Sequence, residues 1–342
     1  MEGLYQFYNE RTNMYAVHEF DECSDNVTVS EVTVSDNHQT NEVQTKNLSN
    51  ADLEAWLITH SKAPTAGIRH PIFRIVWFNL DKDPIPMRYN IRKHSLDLVL
   101  QDFQIEMAYN YGYTAAAGFA TYREGRNENN ELHSYSVFMS ELLLSAWSHN
   151  SATGVTQGLC RGTASLISSM QSLLGHQKIL VGHPMALAYM LAITLSYLVD
   201  RELLHENKAI AEVENRTGYH GWKRSAAGTA KGDYAVLSAR VSGSATSLAG
   251  LRRIAKVVGE ILSSASQFSV DLRTDDTSSH NFRIQSMERS VRECQYALQK
   301  RIATQGAQLD FLVQRTQIQL TAVSDTNAYL ACYSFLINSI KS

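Results

Sequence analysis

The chain has 342 residues, 44% of them hydrophobic and 19% charged, with only 5 prolines and 18 glycines. That is enough for about two domains, and it excludes a collagen, a low-complexity polymer and wholesale disorder. Thirty-one basic against 34 acidic side chains leave a formal net charge of -3, which gives no global electrostatic reason to bind nucleic acid or anionic lipid.

The first 20 residues interrupt their aromatics with Glu2, Glu10, Arg11 and Glu19, so no signal-peptide core forms and secretion is not expected. The four cysteines, Cys23, Cys160, Cys294 and Cys332, make no C-x-x-C pair, which encodes neither a disulfide framework nor a zinc ribbon. A reducing, cytoplasmic setting is the expectation. From Asp21 to Asn50 the chain is Ser, Thr, Asn, Asp and Glu with isolated valines, and it reads as a linker or a marginal edge strand.

A packed domain is expected to start at NADLEAWLITH, where Asn50 is placed to cap a short amphipathic helix with Leu53, Trp56 and Leu57 on one face. Ile72 to Leu80, IFRIVWFNL, is aromatic and β-branched on both faces and reads as a central strand closed by the turn-rich DKDPIP. A helix is predicted over Ser95–Phe103, and strands over Thr114–Tyr122 and Leu132–Leu144 around the polar turn EGRNENN. The region is α/β or α+β.

After Gly158 helical spacing takes over, near Arg161–Leu174, Met185–Asn207, Leu248–Phe268 and His280–Val323. Met185–Val199 carries no charge but is too short to cross hydrocarbon, which takes about 20 apolar residues. It is expected to be a buried helix with Pro184 at its start. The last segment spaces Ile284, Met287, Val291, Cys294, Leu298, Ile302, Leu309, Leu312, Leu320 and Val323 mostly three or four apart, with polar Gln305 and Thr316 filling the two missing steps. Such a helix spans roughly 60 Å. Its expected antiparallel partner carries Leu248, Leu251, Ala255, Val258, Leu262 and Ala265.

Chemistry-bearing motifs are sparse. Gly158-Leu159-Cys160-Arg161-Gly162 has the G-x-C-x-G form of a nucleophile elbow, which would make Cys160 the nucleophile of a hydrolase with His183 or His220 as base. The preceding HNSATGVTQ is polar and turn-like rather than a buried strand, so the competing reading is a glycine-punctuated loop with a small buried thiol. His176 and His183, or His205 with Glu202 and Glu206, match no metal motif, and neither a P-loop nor a G-x-G-x-x-G is present. VENRTGYHGW, Val213–Trp222, reads as a capped turn with aromatics packed beside it.

The order of RHPIFRIVWFNLD, HPMALAYMLAITLSYLVDREL, VENRTGYHGW and LDFLVQRTQIQLTAV resembles the soluble region of fungal CorA-like proteins, divergent relatives of CorA-type magnesium transporters. The resemblance covers about Arg69 to Val323 and rests most on the TGYHGW turn with Trp222 and on the helix Leu309–Val323. It implies an α/β/α layer carrying long antiparallel stalk helices, with the last helix leading into two spans and a Gly-Met-Asn pore signature. After Val323 the sequence reads SDTNAYLACYSFLINSIKS instead.

The expected organisation is a polar, disordered segment over 1–50, an α/β domain over 51–240, a helical hairpin or stalk over 241–323 and a divergent tail over 324–342. The expected function is a cytoplasmic, non-enzymatic CorA-like protein without its own pore and without a cofactor, metal, nucleic-acid or membrane-spanning site. It would associate through its long helices with copies of itself or a full-length CorA-like relative. The alternatives are a truncated CorA-like magnesium transporter and a cysteine hydrolase using Cys160. Metal sites of that family often lie between subunits, which makes Asp310, near the end of the stalk, a candidate to face a neighbour, against an ordinary solvated helix position.

Overall fold

A computed structural model describes residues 19–20, 27–34, 41–61, 71–81, 88–89, 91–114, 117–125, 131–139, 142–176, 180–218, 234–271 and 278–341. The strands are β1 (Glu19–Phe20), β2 (Val27–Val34), β3 (Asn41–Leu48), β4 (Pro71–Asp81), β5 (Arg88–Tyr89), β6 (Ala117–Gly125), β7 (Glu131–Met139), β8 (Leu143–Asn150) and β9 (Val155–Gly162). The helices are α1 (Asn50–Ser61), α2 (Lys93–Asp102), α3 (Glu106–Thr114), α4 (Ala164–His176), α5 (Ala186–Thr217), α6 (Tyr234–Asp271) and α7 (Ser278–Lys341), with a 3-10 turn at Leu180–Gly182. The α/β class expected from the sequence is observed.

Two units are distinguished: residues up to 194 with 260–297, and residues 195–259 with 298 onward. The boundary expected at 240/241 falls inside α6, because α5, α6 and α7 each run through both units.

In the first unit the main sheet has the order β3-β2-β4-β9-β8-β7-β6, and the short β1–β5 pair adjoins the end of β4. β4 and β9 are parallel neighbours, while the other contacts within the main sheet are antiparallel. IFRIVWFNL is central, as its two apolar faces predict: Phe73, Ile75, Val76, Trp77 and Phe78 are all buried.

The stretch over 21–50, expected as a linker or a marginal edge strand, holds two strands, β3 at the sheet edge and β2 one place inside it. Its isolated valines are what an interior strand needs: Val27 and Val29 join the core on one side, while Val32 is buried beside Phe73 on β4. The α1 cap is also shifted by one residue. The Ser49 hydroxyl accepts the Asp52 N–H at 3.1 Å and donates to the Asp52 carboxylate at 2.7 Å, so Ser49 rather than Asn50 starts the helix.

The polar HNSATGVTQ and the glycine-rich run after it form the β8–β9 hairpin rather than a loop. Gly154, with φ +68°, sits in its turn, and the Asn150 side-chain oxygen accepts the Ala152 and Thr153 N–H groups. Polar residues in β8 and β9 are tolerated because their hydrogen bonds close internally: Ser145 Oγ donates to the Leu159 carbonyl and Ser148 Oγ to the Phe103 carbonyl.

One sheet face is sealed by α1–α3 through Trp56, Leu96, Val99, Phe103, Ile105 and Tyr109 against Val76, Phe78, Leu144 and Leu159. Into it projects Arg74, whose guanidinium lies 4.1 Å from the Trp56 ring centroid and donates to Gln157 at 3.2 Å. Burial lowers its pKa to about 10, against the raising influence of Asp102 and Glu31. On the opposite face Trp147 stacks on Tyr135 and donates its indole N–H to the Pro184 carbonyl at 3.1 Å. The charge-free run after Pro184 is a buried helix: Met185 through Ala192 are fully enclosed, which explains an apolar circumference without a bilayer.

In the second unit α5 and α7 run parallel, since Asp200 meets Arg301, Glu214 meets Arg315 and Thr217 meets Gln319. α6 runs antiparallel to both, through Arg240–Glu212 and Arg252–Asp310. The stripe predicted on α6 is buried from Leu248 through Ala265, matching its expected antiparallel pairing. Gln305 and Thr316 do fill interior steps of α7. Gln305 Nε2 donates to the Ser196 carbonyl at 2.8 Å and to Asp200 at 2.6 Å, and the Thr316 hydroxyl to the Leu312 carbonyl.

Candidate functional site

Among the sequence-derived candidates, Cys160 is placed inside β9, paired with Trp77 on β4 and Ser145 on β8, with no exposed surface. Burial pushes its thiol up to about 12, which outweighs the lowering influences of Ser145 and of the Arg161 charge. The flanking glycines serve packing rather than an elbow. A Cβ on Gly158 would lie 2.5 Å from the Trp147 Cβ and 2.7 Å from the Ala146 carbonyl oxygen. The buried thiol of the competing reading is therefore present, in a strand and not a loop.

His183 is buried, accepts the Met185 N–H at 3.0 Å on Nδ1 and packs edge-on to Tyr189. His220 and Trp222 lie outside the described residues, while Gly218, φ +73°, ends α5 through its N–H to the Glu214 carbonyl. His176 is exposed and bonded to the Ser172 carbonyl, and Glu202 pairs with Arg201. Among the described residues no group of three His, Cys, Asp or Glu side chains is placed to hold a metal ion. Asp310 is exposed and ion-paired to Arg252.

The feature that stands out lies along α5 and α7 in the second unit. Asp200, Asn207 and Glu214 recur every seven residues on α5, and Arg301, Gln308 and Arg315 recur every seven on α7. Parallel helices bring the two rows together as a polar ladder. Arg301 Nε donates to Asp200 at 2.6 Å. Arg315 grips Glu214 through two bonds of 2.8 and 2.6 Å, and its third nitrogen donates to the Asn207 side-chain Oδ1.

Between the two ion pairs lies an open groove of about 420 Å³, floored by Leu203 and Leu312 and ending at Asp200, Asn207 and Gln308. Its rims are Leu204, 56% exposed, and Phe311, 49% exposed. One heptad away on the same helices stand Tyr197, 61% exposed, and Ile318, 57% exposed. Four large apolar side chains thus form a stripe along two parallel helices. Arg315 lies over the Phe311 ring, 5.4 Å from its centroid.

This surface escaped the sequence reading, which paired α7 with α6 alone. The spacing D-x6-N-x6-E over 200–214 and R-x6-Q-x6-R over 301–315 is legible only once the helices are known to be parallel.

No family model matches the sequence, and no curated protein matches it. Among solved structures, the chain is similar to the ZntB cytoplasmic domain from Vibrio parahaemolyticus RIMD 2210633, at 7% identity and a TM-score of 0.45, covering 78% of this chain and 93% of that one. It is similar to the soluble domain of CorA from Methanocaldococcus jannaschii at 11% identity and a TM-score of 0.40, covering 85% and 97%. The full-length CmaX protein gives 10% identity and a TM-score of 0.44, covering 93% and 83%. No helix among the described residues is long and apolar enough to cross a membrane.

Proposed function

We propose that the chain is a CorA-like α/β protein with a non-enzymatic role, which it performs by binding a helix of another protein chain along the α5–α7 face. The observation that carries this reading is the exposed stripe Tyr197, Leu204, Phe311 and Ile318 beside the groove. A third helix laid between two parallel helices buries knobs at seven-residue spacing, which is the geometry of helix-in-groove recognition. The resemblance of VENRTGYHGW and LDFLVQRTQIQLTAV to CorA-like proteins supports the same class. Cys160, enclosed and with a raised thiol pKa, argues against the hydrolase alternative.

A designed amphipathic helical peptide, with leucine at the a and d positions of its heptads and glutamine elsewhere, tests the reading. It is expected to bind the full chain by calorimetry and to lose binding at least tenfold in the Phe311→Asp/Ile318→Asp variant, with circular dichroism unchanged. No binding to the wild-type chain, or equal binding to both, would refute the face as the site.

A further inference from the structure

The helix α6 changes character along its length. Over 235–250 it is built of poor helix formers, with four serines, a threonine and the glycines Gly243 and Gly250 within 16 residues. Only Leu237, Val241 and Leu248 of this stretch bury an apolar side chain. From Leu251 the packing is denser, since Leu251, Ile254, Ala255, Val257 and Val258 are all buried within eight residues. The first half is the weakly held one.

Its neighbours hold each other far more firmly than they hold it. α5 and α7 are joined by Asp200–Arg301, by the two-bond Glu214–Arg315 pair, and by Gln305 to Ser196 and Thr217 to Gln319. Among the described residues, one ion pair, Arg240–Glu212, ties 235–250 to either helix, and its side chains are 39% and 58% exposed. Such a pair contributes little. Beside it, Val213 of α5 and Val323 of α7 pack with Leu237 and Val241. One heptad along these antiparallel helices, Glu206 and Thr316 come level with Ser244 and Leu248, and all four are buried. Glu206 is 7% exposed, and its carboxylate enters no hydrogen bond or ion pair among the described residues. Enclosing it costs free energy that opening returns.

We propose that residues 235–250 form a strap that lifts from the α5–α7 pair as a unit, while the polar ladder keeps α5 and α7 together and α6 stays docked from Leu251 onward. The second unit thereby has two states, a closed three-helix bundle and an open helix pair. Opening gives Glu206 to water and uncovers Ile210, Val213 and Val323. Few buried apolar side chains and an exposed polar tie are the marks of a segment that opens separately from its surroundings. The strap is independent of the binding role proposed for the Leu204–Phe311 face.

Hydrogen exchange on the full chain, resolved by mass spectrometry of peptides, tests the strap. The readout is 241–250, which leaves aside fraying of the first turn. Its amides are expected to exchange at least a hundredfold faster than those of 203–217 and 301–319, with little dependence on dilute urea. Gly243→Ala/Gly250→Ala is expected to slow that exchange about tenfold, because an added Cβ meets nothing within 4 Å at either position while helix propensity rises. Glu206→Leu, which removes the enclosed carboxylate, is expected to slow it by a similar factor. Exchange of 241–250 in step with both neighbouring helices, or fast exchange that neither variant slows, would overturn the proposal.

Discussion

Gln104 shows how one residue carries strain that the sequence does not announce. It has φ +54° at the end of α2, where the Ile105 N–H reaches back to the Leu100 carbonyl at 3.0 Å and the Gln104 N–H to Gln101 at 3.2 Å. That is the left-handed helix ending usually given to glycine. Gln104→Gly is expected to stabilise the chain by about 0.5–1 kcal/mol, read as a rise in thermal midpoint. Gly158 is the opposite case, since its missing side chain is occupied by the backbone and Cβ of Trp147. Gly158→Ala is expected to cost about 3 kcal/mol or more, because neither strand can yield without breaking the ladder. The same residues explain why G-x-C-x-G misleads as a motif: glycine for close strand approach and glycine for a catalytic turn look alike in sequence. Cys160 should resist iodoacetamide at pH 8 in the native chain and react once urea exposes it; rapid native alkylation would contradict its enclosure.

At the scale of elements, periodicity made some segments legible and polar composition hid others. β4, α2 and the α6 stripe were readable because burial dictates their pattern. β8 and β9 were not, because Ser145, Ser148, His149 and Thr156 are buried through specific hydrogen bonds, which no hydropathy pattern records. The α5–α7 ladder was hidden for a related reason: its charges look like a solvated helix face until the parallel partner is placed. The Glu214 and Arg315 side chains are 9% and 17% exposed, so removing one leaves the other poorly compensated. Glu214→Gln is expected to destabilise by about 3 kcal/mol, with Glu214→Gln/Arg315→Met less costly than the sum of the single changes. A loss under about 0.5 kcal/mol in urea titration would mean that the pair behaves as a surface bridge.

On the sheet face beside Pro184 lie two buried histidines, His149 and His183. His149 bonds Thr156 at 2.9 Å and pairs across strands with His133. Its pKa is lowered from 6.5 to about 4 by burial first, then by His183 and His133, and burial lowers that of His183 to about 4. The unfolded chain therefore takes up these protons before the folded one does. Stability is full above about pH 6.5, falls as pH drops through the window from 6.5 to 4, and levels off below it as far as these two groups decide. If both contribute fully, the loss is on the order of 3 kcal/mol each. Replacing His149 with Gln should flatten the pH dependence of the thermal midpoint between pH 6.5 and 4, and an unchanged slope would assign acid sensitivity elsewhere.

The α5–α7 face is the surface through which the chain is proposed to work. The most direct measurement places a photo-activated benzophenone side chain at position 311, and as a control at position 58, where Ile58 is equally apolar and 61% exposed in the first unit. Irradiation in intact cells followed by mass spectrometry of the adducts is predicted to give a discrete cross-link at 311 that maps to a helix of another protein chain, and none at 58. Cross-linking at 58 with 311 silent, or the same adducts at both positions, would contradict it.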